Sequence, residues 1–182
     1  VDNADEIVDC SGRLVTPGFV DPHTHPVFYK GREEEYTMRL AGASYQEIAE
    51  NGGGILSSIK DVRNVSEYEL VERVKKRMTR FIKLGTTTIE AKSGYGLDTD
   101  SELKSLRVLD RVNRDHPIDI IPTFLGAHAF PPEFSNDPDG YVDLLCDEMI
   151  PAVGEQGIAQ YCDVFCEKRY FSVEQSRRIL ET

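Results

Sequence analysis

The amino-acid sequence predicts an α/β fold in which parallel strands alternate with helices. Four short runs rich in β-branched residues each end in polar residues, and helical sequence follows each of them. Strands that alternate with helices in this way form a parallel sheet with right-handed crossovers. Four such units are half of the eight in a (β/α)8 (TIM) barrel, whose usual length of about 250 residues exceeds the 182 residues of this chain. We therefore expect half of such a barrel.

The four barrel strands are expected at residues 14–20, 86–91, 118–125 and 162–166. In a barrel of this kind, the chemistry lies at the carboxyl ends of the strands. The residues at those ends are His23 and His25, Lys92 and Tyr95, His128, and Glu167 and Lys168. One further run, at residues 6–10, precedes a Ser-Gly-Arg turn and predicts a hairpin with the first barrel strand.

Five helices are expected between and after these strands. A Ser or Thr followed three residues later by Glu or Gln is the capping-box spacing that marks a helix start. This spacing predicts helices that begin at Ser44, Ser66, Thr99 and Ser172, and a fifth helix is expected over residues 139–153. The helix from Ser66 should bury a stripe at helical spacing, made of Leu70, Val74, Phe81 and Leu84.

Charge and composition restrict what the protein binds. The net charge of −11 repels polyanions, so neither nucleic acid nor an anionic membrane surface is an expected partner. No stretch reaches the roughly 18 apolar residues of a membrane span, and the four cysteines form no CxxC pair. We expect a cytoplasmic location with reduced thiols. A small anionic substrate would then need a specific local cation.

Two histidines, His23 and His25, follow the first predicted barrel strand. Alternate residues of a strand project from the same face, so Asp21, His23 and His25 should point the same way. Two imidazoles on one face can share a metal ion, with further ligands from other strands and one position left for water. A His-x-His pair by itself also occurs as two surface histidines at a strand end.

The longer string PGFVDPHTH, residues 17–25, resembles the first-strand signature of the amidohydrolase superfamily. Further segments resemble the imidazolonepropionase family within it: GREEE (31–35), SYQEI (44–48), GGGI (52–55), KSGYGL (92–97), TFLGAH (123–128) and DVFCE (163–167). This resemblance covers nearly the entire chain. It implies that residues 17–182 are the amino-terminal half of a metal-dependent hydrolase barrel, and that residues 1–16 are a remnant of a small β-sandwich domain.

The resemblance also implies a role for individual residues. His23 and His25 would ligate one divalent metal ion, Zn or Fe, and Arg32 would hold the propionate of the substrate. The planar guanidinium matches a carboxylate bidentately, although Arg32 could instead be a solvated partner of Glu33–Glu35. Tyr45 and Tyr95 would contact the heterocycle, and ordinary helix packing is the alternative for Tyr45. His128 would contact the ring carbonyl as a catalytic residue, and a structural histidine is the alternative.

Two charged strand ends are treated separately. Lys92 lies where other amidohydrolases carry a carboxylated lysine between two metals, but the family pattern gives it no such role, so it is not among the expected metal ligands. The sequence leaves open whether Glu167 and Lys168 pair with each other or line the cleft.

The activity implied by the resemblance is hydrolysis of the cyclic amide 4-imidazolone-5-propanoate to N-formimino-L-glutamate, in histidine degradation. A third histidine, an aspartate and a glutamate base would lie on later strands, so we expect this segment alone to be inactive. A heterocycle deaminase of the same superfamily is one alternative, and a non-catalytic metal-binding domain is another. The sequence leaves the choice between Zn and Fe open, and also the oligomeric state, a homodimer included.

Overall fold

The computed structural model describes residues 4–44, 47 and 53–182. Its strands form one parallel sheet in the order β1-β2-β3-β4, so each strand pairs with the next one along the chain. This arrangement confirms the predicted alternation of strands and helices. The strands are β1 (Phe19–Thr24), β2 (Thr86–Lys92), β3 (Asp119–Ala127) and β4 (Tyr161–Val164).

Helices connect the strands and follow the last of them. They are α1 (Glu33–Leu40), α2 (Ile55–Asn64), α3 (Glu67–Lys83), α4 (Thr99–Asp115), α5 (Pro138–Leu144), α6 (Ile150–Gln156) and α7 (Val173–Glu181). A π-helical segment, Leu145–Met149, joins α5 to α6, where a single helix was expected. The N–H of Ile150 donates to the carbonyl of Leu145 there. Pro151 follows and has no N–H to continue the regular helical pattern.

Two of the predicted capping boxes are confirmed. The hydroxyls of Ser66 and Ser172 accept from the backbone N–H groups of Glu69 and Gln175, whose side chains accept in return. At Ser44 the same reciprocal contacts with Glu47 are present, and the rest of that predicted helix lies outside the described residues.

The capping box predicted at Thr99 and Glu102 is wrong. Helix α4 is capped by Asp98, whose carboxylate accepts from the N–H of Ser101 at 2.8 Å. Glu102 turns inward and is fully buried. Asp98 precedes Thr99 by one residue and is also a strong N-cap, so it takes the position that the spacing assigned to Thr99.

Helices α1 and α2 were not expected from the sequence. Helix α1 buries none of its residues, so no apolar stripe identifies it. Three glutamates occupy its first turn, where the helix dipole favours negative charge. Helix α2 carries Ile55, Ile59 and Val62 at helical spacing, and the last two are buried in the core. This apolar spacing is a usable signal for a helix, but the segment is short and follows three glycines, which favour a loop.

The amino-terminal hairpin expected from the sequence is not formed. Among the described residues before Phe19 there is no strand, and only the turn survives, with the N–H of Arg13 donating to the carbonyl of Cys10 at 3.0 Å. Ile7 and Leu14 are 73% and 89% exposed. An isolated two-stranded hairpin is marginal in water, and this segment packs against no further strand. Its assignment to a separate domain stays a prediction.

The hydrophobic core lies between the sheet and the helices that cover it. Leu70 and Val74 of the predicted stripe are completely buried, and Phe81 is partly buried against the core. Met78, which the prediction did not include, is also completely buried. Leu84 is an exception, because it is the C-cap residue and is 68% exposed. No helix among the described residues is long and apolar enough to cross a membrane.

Replacing Leu70 with Ala should lower the free energy of unfolding by about 2–5 kcal/mol, because it opens a cavity in a fully packed core. The matched substitution Leu84→Ala, at the exposed end of the same helix, should change it by less than about 0.5 kcal/mol. Urea denaturation followed by circular dichroism measures both. Equal losses would contradict the placement of these two leucines.

Candidate active site

Four ring side chains meet at the edge of the sheet where β1, β2 and β3 end. His23 lies in β1 and His25 just beyond it, Tyr95 follows β2, and His128 follows β3 directly. The ring of His25 stacks on that of His128 with centroids 4.9 Å apart. The Tyr95 ring lies 5.8 Å from His25 and 5.3 Å from His128. The structure therefore brings together four of the six residues predicted for the site.

His23 and His25 point their Nε2 atoms at each other, 3.3 Å apart. A tetrahedral Zn²⁺ ion with two Zn–N bonds of about 2.0–2.1 Å would place its nitrogens about 3.3–3.4 Å apart. The observed separation is thus that of two nitrogens aimed at one metal ion. The donor type also fits, since imidazole is a preferred ligand of Zn and Fe.

His25 is held in the neutral form that a metal ligand requires. Burial, together with the charges of His128, His23 and Lys92, lowers its pKa to about 4, and the charge of Asp163 acts in the opposite direction. A neutral imidazole keeps a lone pair for coordination. The described residues contain no group of three or more His, Cys, Asp or Glu side chains that could hold a metal ion. In the described part of the chain, the convergent nitrogens are thus those of His23 and His25.

Lys92 lies beneath these rings in a buried ion-pair cluster. Its ammonium group is 2.7 Å from Oε1 of Glu90 and 2.8 Å from Oδ2 of Asp163. Burial lowers the pKa of Lys92, but the hydrogen bonds to Asp163 and Glu90 outweigh it, so the pKa is raised. A carboxylated lysine would place a negative charge against two carboxylates. The geometry thus favours the ammonium and agrees with leaving Lys92 out of the metal ligands.

A cavity of about 390 Å³ opens beside Tyr95. Its lining consists of Phe28, Lys30, Gly31, Arg32, Glu33, Ser58 and Tyr95. Burial raises the pKa of the Tyr95 hydroxyl, and the positive charge of Arg32 opposes that shift, which places the guanidinium within electrostatic range of the phenol. Among the described residues Arg32 forms no ion pair with Glu33, Glu34 or Glu35. The lining thus carries two positively charged side chains, Lys30 and Arg32, and one negatively charged side chain, Glu33.

His128 is oriented by a backbone carbonyl. Its Nδ1 lies 2.7 Å from the oxygen of Gly94, and because a carbonyl only accepts, Nδ1 carries the proton. Burial lowers the pKa of His128, with the Gly94 bond acting in the opposite direction. In the neutral ring Nε2 is therefore an acceptor. Donation of a hydrogen bond from Nε2 to an oxyanion would require a second proton on this ring.

Three further residues were singled out from the sequence: Tyr45, Glu167 and Lys168. Tyr45 lies outside the described residues, and Glu167 and Lys168 are both exposed. Sequence reasoning missed Asp163, which lies in β4 and contacts Lys92, and also Glu102. The signal for Asp163 was a single carboxylate within an otherwise apolar strand run.

Comparison with known proteins adds a second kind of observation. No protein-family model matches the chain. Among curated proteins, the imidazolonepropionase of Syntrophobacter fumaroxidans is 56% identical over 97% of the chain, and that of Shouchella clausii is 53% identical over 96%. The imidazolonepropionase of Geobacillus kaustophilus is 52% identical over 97%. By sequence, the chain is an imidazolonepropionase relative.

The similarity to imidazolonepropionases covers only part of those proteins. The chain spans 42%, 39% and 42% of the length of the three relatives named above. Within that share lie both convergent histidines, Arg32, Tyr95 and His128. The imidazolonepropionase resemblance seen in short segments is thus confirmed along nearly the whole chain.

Gly94 is a position in the site where an added side chain would meet both backbone strain and close contacts. Its φ is +102°, and a Cβ there would lie 2.7 Å from the carbonyl oxygen of Leu125 and 3.1 Å from Nδ1 of His128. Gly12 also has a positive φ, of +72°, but a Cβ there meets nothing within 4 Å. A substitution at either glycine would strain the backbone, but at Gly94 it would also create steric crowding.

The substitution Gly94→Ala should therefore lower the free energy of unfolding by about 1–3 kcal/mol more than Gly12→Ala, the usual cost of overpacking. Thermal denaturation of the two variants and the parent measures this difference. A Gly94→Ala variant no less stable than Gly12→Ala would contradict the described position of the loop.

Proposed function

We propose that the protein containing this chain hydrolyses the cyclic amide 4-imidazolone-5-propanoate to N-formimino-L-glutamate. The chain would supply the amino-terminal half of a (β/α)8 barrel of the metal-dependent hydrolase type. One observation carries the proposal: two imidazole nitrogens lie 3.3 Å apart at the sheet edge, next to a cavity lined by Arg32 and Tyr95. The imidazolonepropionase relatives supply the substrate class.

His23 and His25 would hold one Zn or Fe ion through their Nε2 atoms. Such an ion, when bound, lowers the pKa of water toward neutrality and polarises a carbonyl oxygen. The remaining ligands would come from the part of the relatives' length that this chain does not span. Burial keeps His25 neutral, so no proton needs to leave this ring before it binds the metal at neutral pH.

Arg32 would bind the propionate of the substrate. In a protein with a net charge of −11, an anionic substrate approaches against the overall field, so a local guanidinium has to select it. The Tyr95 ring, half-buried between His25, His128 and the cavity, gives the heterocycle an apolar surface with a hydroxyl at its end. Tyr45 is proposed for the same role on its resemblance alone.

His128 would face the reacting ring. Because Nδ1 is hydrogen-bonded to the carbonyl oxygen of Gly94, Nε2 is the ring nitrogen that would contact the substrate. In the neutral ring this atom accepts a hydrogen bond from a ring N–H. Once protonated it donates to the carbonyl oxygen, on which negative charge develops during attack. The base that takes the proton of the attacking water would again come from outside this chain.

The substitutions His23→Ala and His25→Ala should each weaken Zn²⁺ binding by more than about 100-fold. Loss of a residue that only orients a metal ligand weakens binding by up to about 100-fold, and loss of a ligand itself should weaken it more. His116→Ala is the control, since His116 contacts Thr79 and the backbone of Ile118 away from the site. Calorimetric titration of the full-length protein measures the affinities. Unchanged Zn²⁺ affinity in both site variants would refute the metal assignment.

The substitution Arg32→Ala should lower kcat/KM for imidazolone propionate about 10- to 100-fold, the share of a charge-assisted hydrogen bond of about 1.5–3 kcal/mol. Most of the loss should be a rise in KM, because the propionate is remote from the scissile bond.

Arg39→Ala, at the exposed end of α1, is the matched control and should leave KM unchanged. A substrate whose carboxylate is replaced by a neutral amide should lose nothing further in the Arg32→Ala enzyme. Ammonia release with indifference to Arg32→Ala would favour a deaminase instead.

A further inference from the structure

The loop between β2 and α4, residues 93–98, is held from the inside by one buried carboxylate. Glu102 accepts from the backbone N–H groups of Gly94 at 2.9 Å and of Gly96 and Leu97 at 2.8 Å each. Its exposed fraction is 0%. Burial raises the pKa of this carboxyl, and hydrogen bonds from Ser93, Leu97, Gly96 and Gly94 oppose the shift. The backbone amides of one loop thus supply much of the solvation that the carboxylate loses.

The same loop is held from the outside by a guanidinium. Nε and Nη2 of Arg63 donate to the carbonyls of Gly96 at 2.7 Å and Leu97 at 3.1 Å. Arg63 is itself paired with Asp98 and Glu133, at 2.7 Å each. Leu97 is one of two non-glycine residues in the described chain with a positive φ, of 55°. A strained residue of this kind persists where its surroundings over-determine it.

This loop carries Tyr95 and contacts His128. Tyr95 lies between the glycines whose N–H groups bind Glu102. Gly94 donates its N–H to Glu102 and offers its carbonyl to Nδ1 of His128. Two consecutive hydrogen bonds across one glycine therefore connect the buried carboxylate to the His128 ring. Ser93 adds a further tie, because its hydroxyl accepts from the N–H of Leu125 in β3 at 3.0 Å.

We propose that Glu102 is a positioning residue: through the backbone of residues 93–98 it sets the place of the Tyr95 ring and the tautomer of His128. Glu102 touches no substrate in this account. Its effect on turnover rests on the proposed function, whereas its effect on the His128 ring does not. The chain keeps a carboxylate at a fully buried helix position, where an apolar side chain would fill the space without any cost of burying charge.

The experiment compares Glu102→Gln with Leu109→Ala in the full-length protein. Gln keeps the shape but presents an NH₂ group where the carboxylate accepted, so a donor faces at least one loop N–H. Leu109 is fully buried in the same helix, so its replacement by Ala should lower the stability of the fold without changing the loop. We expect Glu102→Gln to lower kcat/KM about 10- to 100-fold, the usual effect of residues that orient site groups. Leu109→Ala should keep the parent value.

Two further readouts separate positioning from stability. Nitrogen NMR of 15N-histidine-labelled, metal-free protein reports the tautomer of His128; the parent should show a protonated Nδ1, and Glu102→Gln should shift the ring toward protonated Nε2. In a double-mutant cycle, the losses from Glu102→Gln and Tyr95→Phe should be less than additive, because both act through one loop. An unchanged tautomer together with an activity equal to that of Leu109→Ala would overturn the proposal.

If the Glu102→Gln variant fails to fold, Arg63→Lys is the second test. Lys keeps the positive charge but cannot donate two hydrogen bonds to the loop carbonyls in the geometry of the guanidinium. This variant should shift the His128 tautomer in the same direction, and an unshifted tautomer overturns the proposal. Absence of imidazolone propionate hydrolysis in the parent would refute the proposed function alone. The tautomer measurement would still decide the role of Glu102.

Discussion

The shared direction of the four strands is the constraint on which the site depends. Parallel strands place all their carboxyl ends at one edge of the sheet, so residues far apart in the chain meet there. His23 and His25 arrive from β1, Tyr95 from β2 and His128 from β3. The pairing of neighbouring strands aligns their carboxyl ends, since Thr24 of β1 pairs with Ala91 of β2, and Lys92 of β2 pairs with Thr123 of β3. A slip of one residue in β1 would turn the His23 ring to the opposite face of the sheet.

Electrostatics at this edge follows from burial in an acidic protein. Lys92 is enclosed between Glu90 and Asp163, so its charge is satisfied within the sheet. Arg32, in contrast, forms no ion pair with the glutamates that follow it in the described part of the chain, and it lines the cavity beside Tyr95. Of these two side chains, Lys92 is held in ion pairs, and Arg32 lies at the surface of the cavity. Burial keeps the His25 ring neutral between them.

Much of this site could be predicted from the sequence because its residues lie at strand ends. Local spacing identified His23, His25, Tyr95 and His128, and it placed the capping boxes at Ser66 and Ser172 correctly. It failed where one side chain has two plausible partners. Glu102 has capping-box spacing from Thr99, yet Asp98 takes the cap and leaves Glu102 to the loop. It also failed at residues 6–10, because a strand pattern forms no strand without a sheet to join.

The central claim is that the two imidazoles of β1 converge on one metal ion. The most direct measurement is a Zn²⁺ titration of the full-length protein labelled with 15N-histidine, followed through the ring nitrogen resonances. We predict that the Nε2 resonances of His23 and His25 shift together and that the shift is complete at one equivalent of metal. The resonances of His116 should not shift. Movement of only one of the two rings, or of neither, would contradict the account.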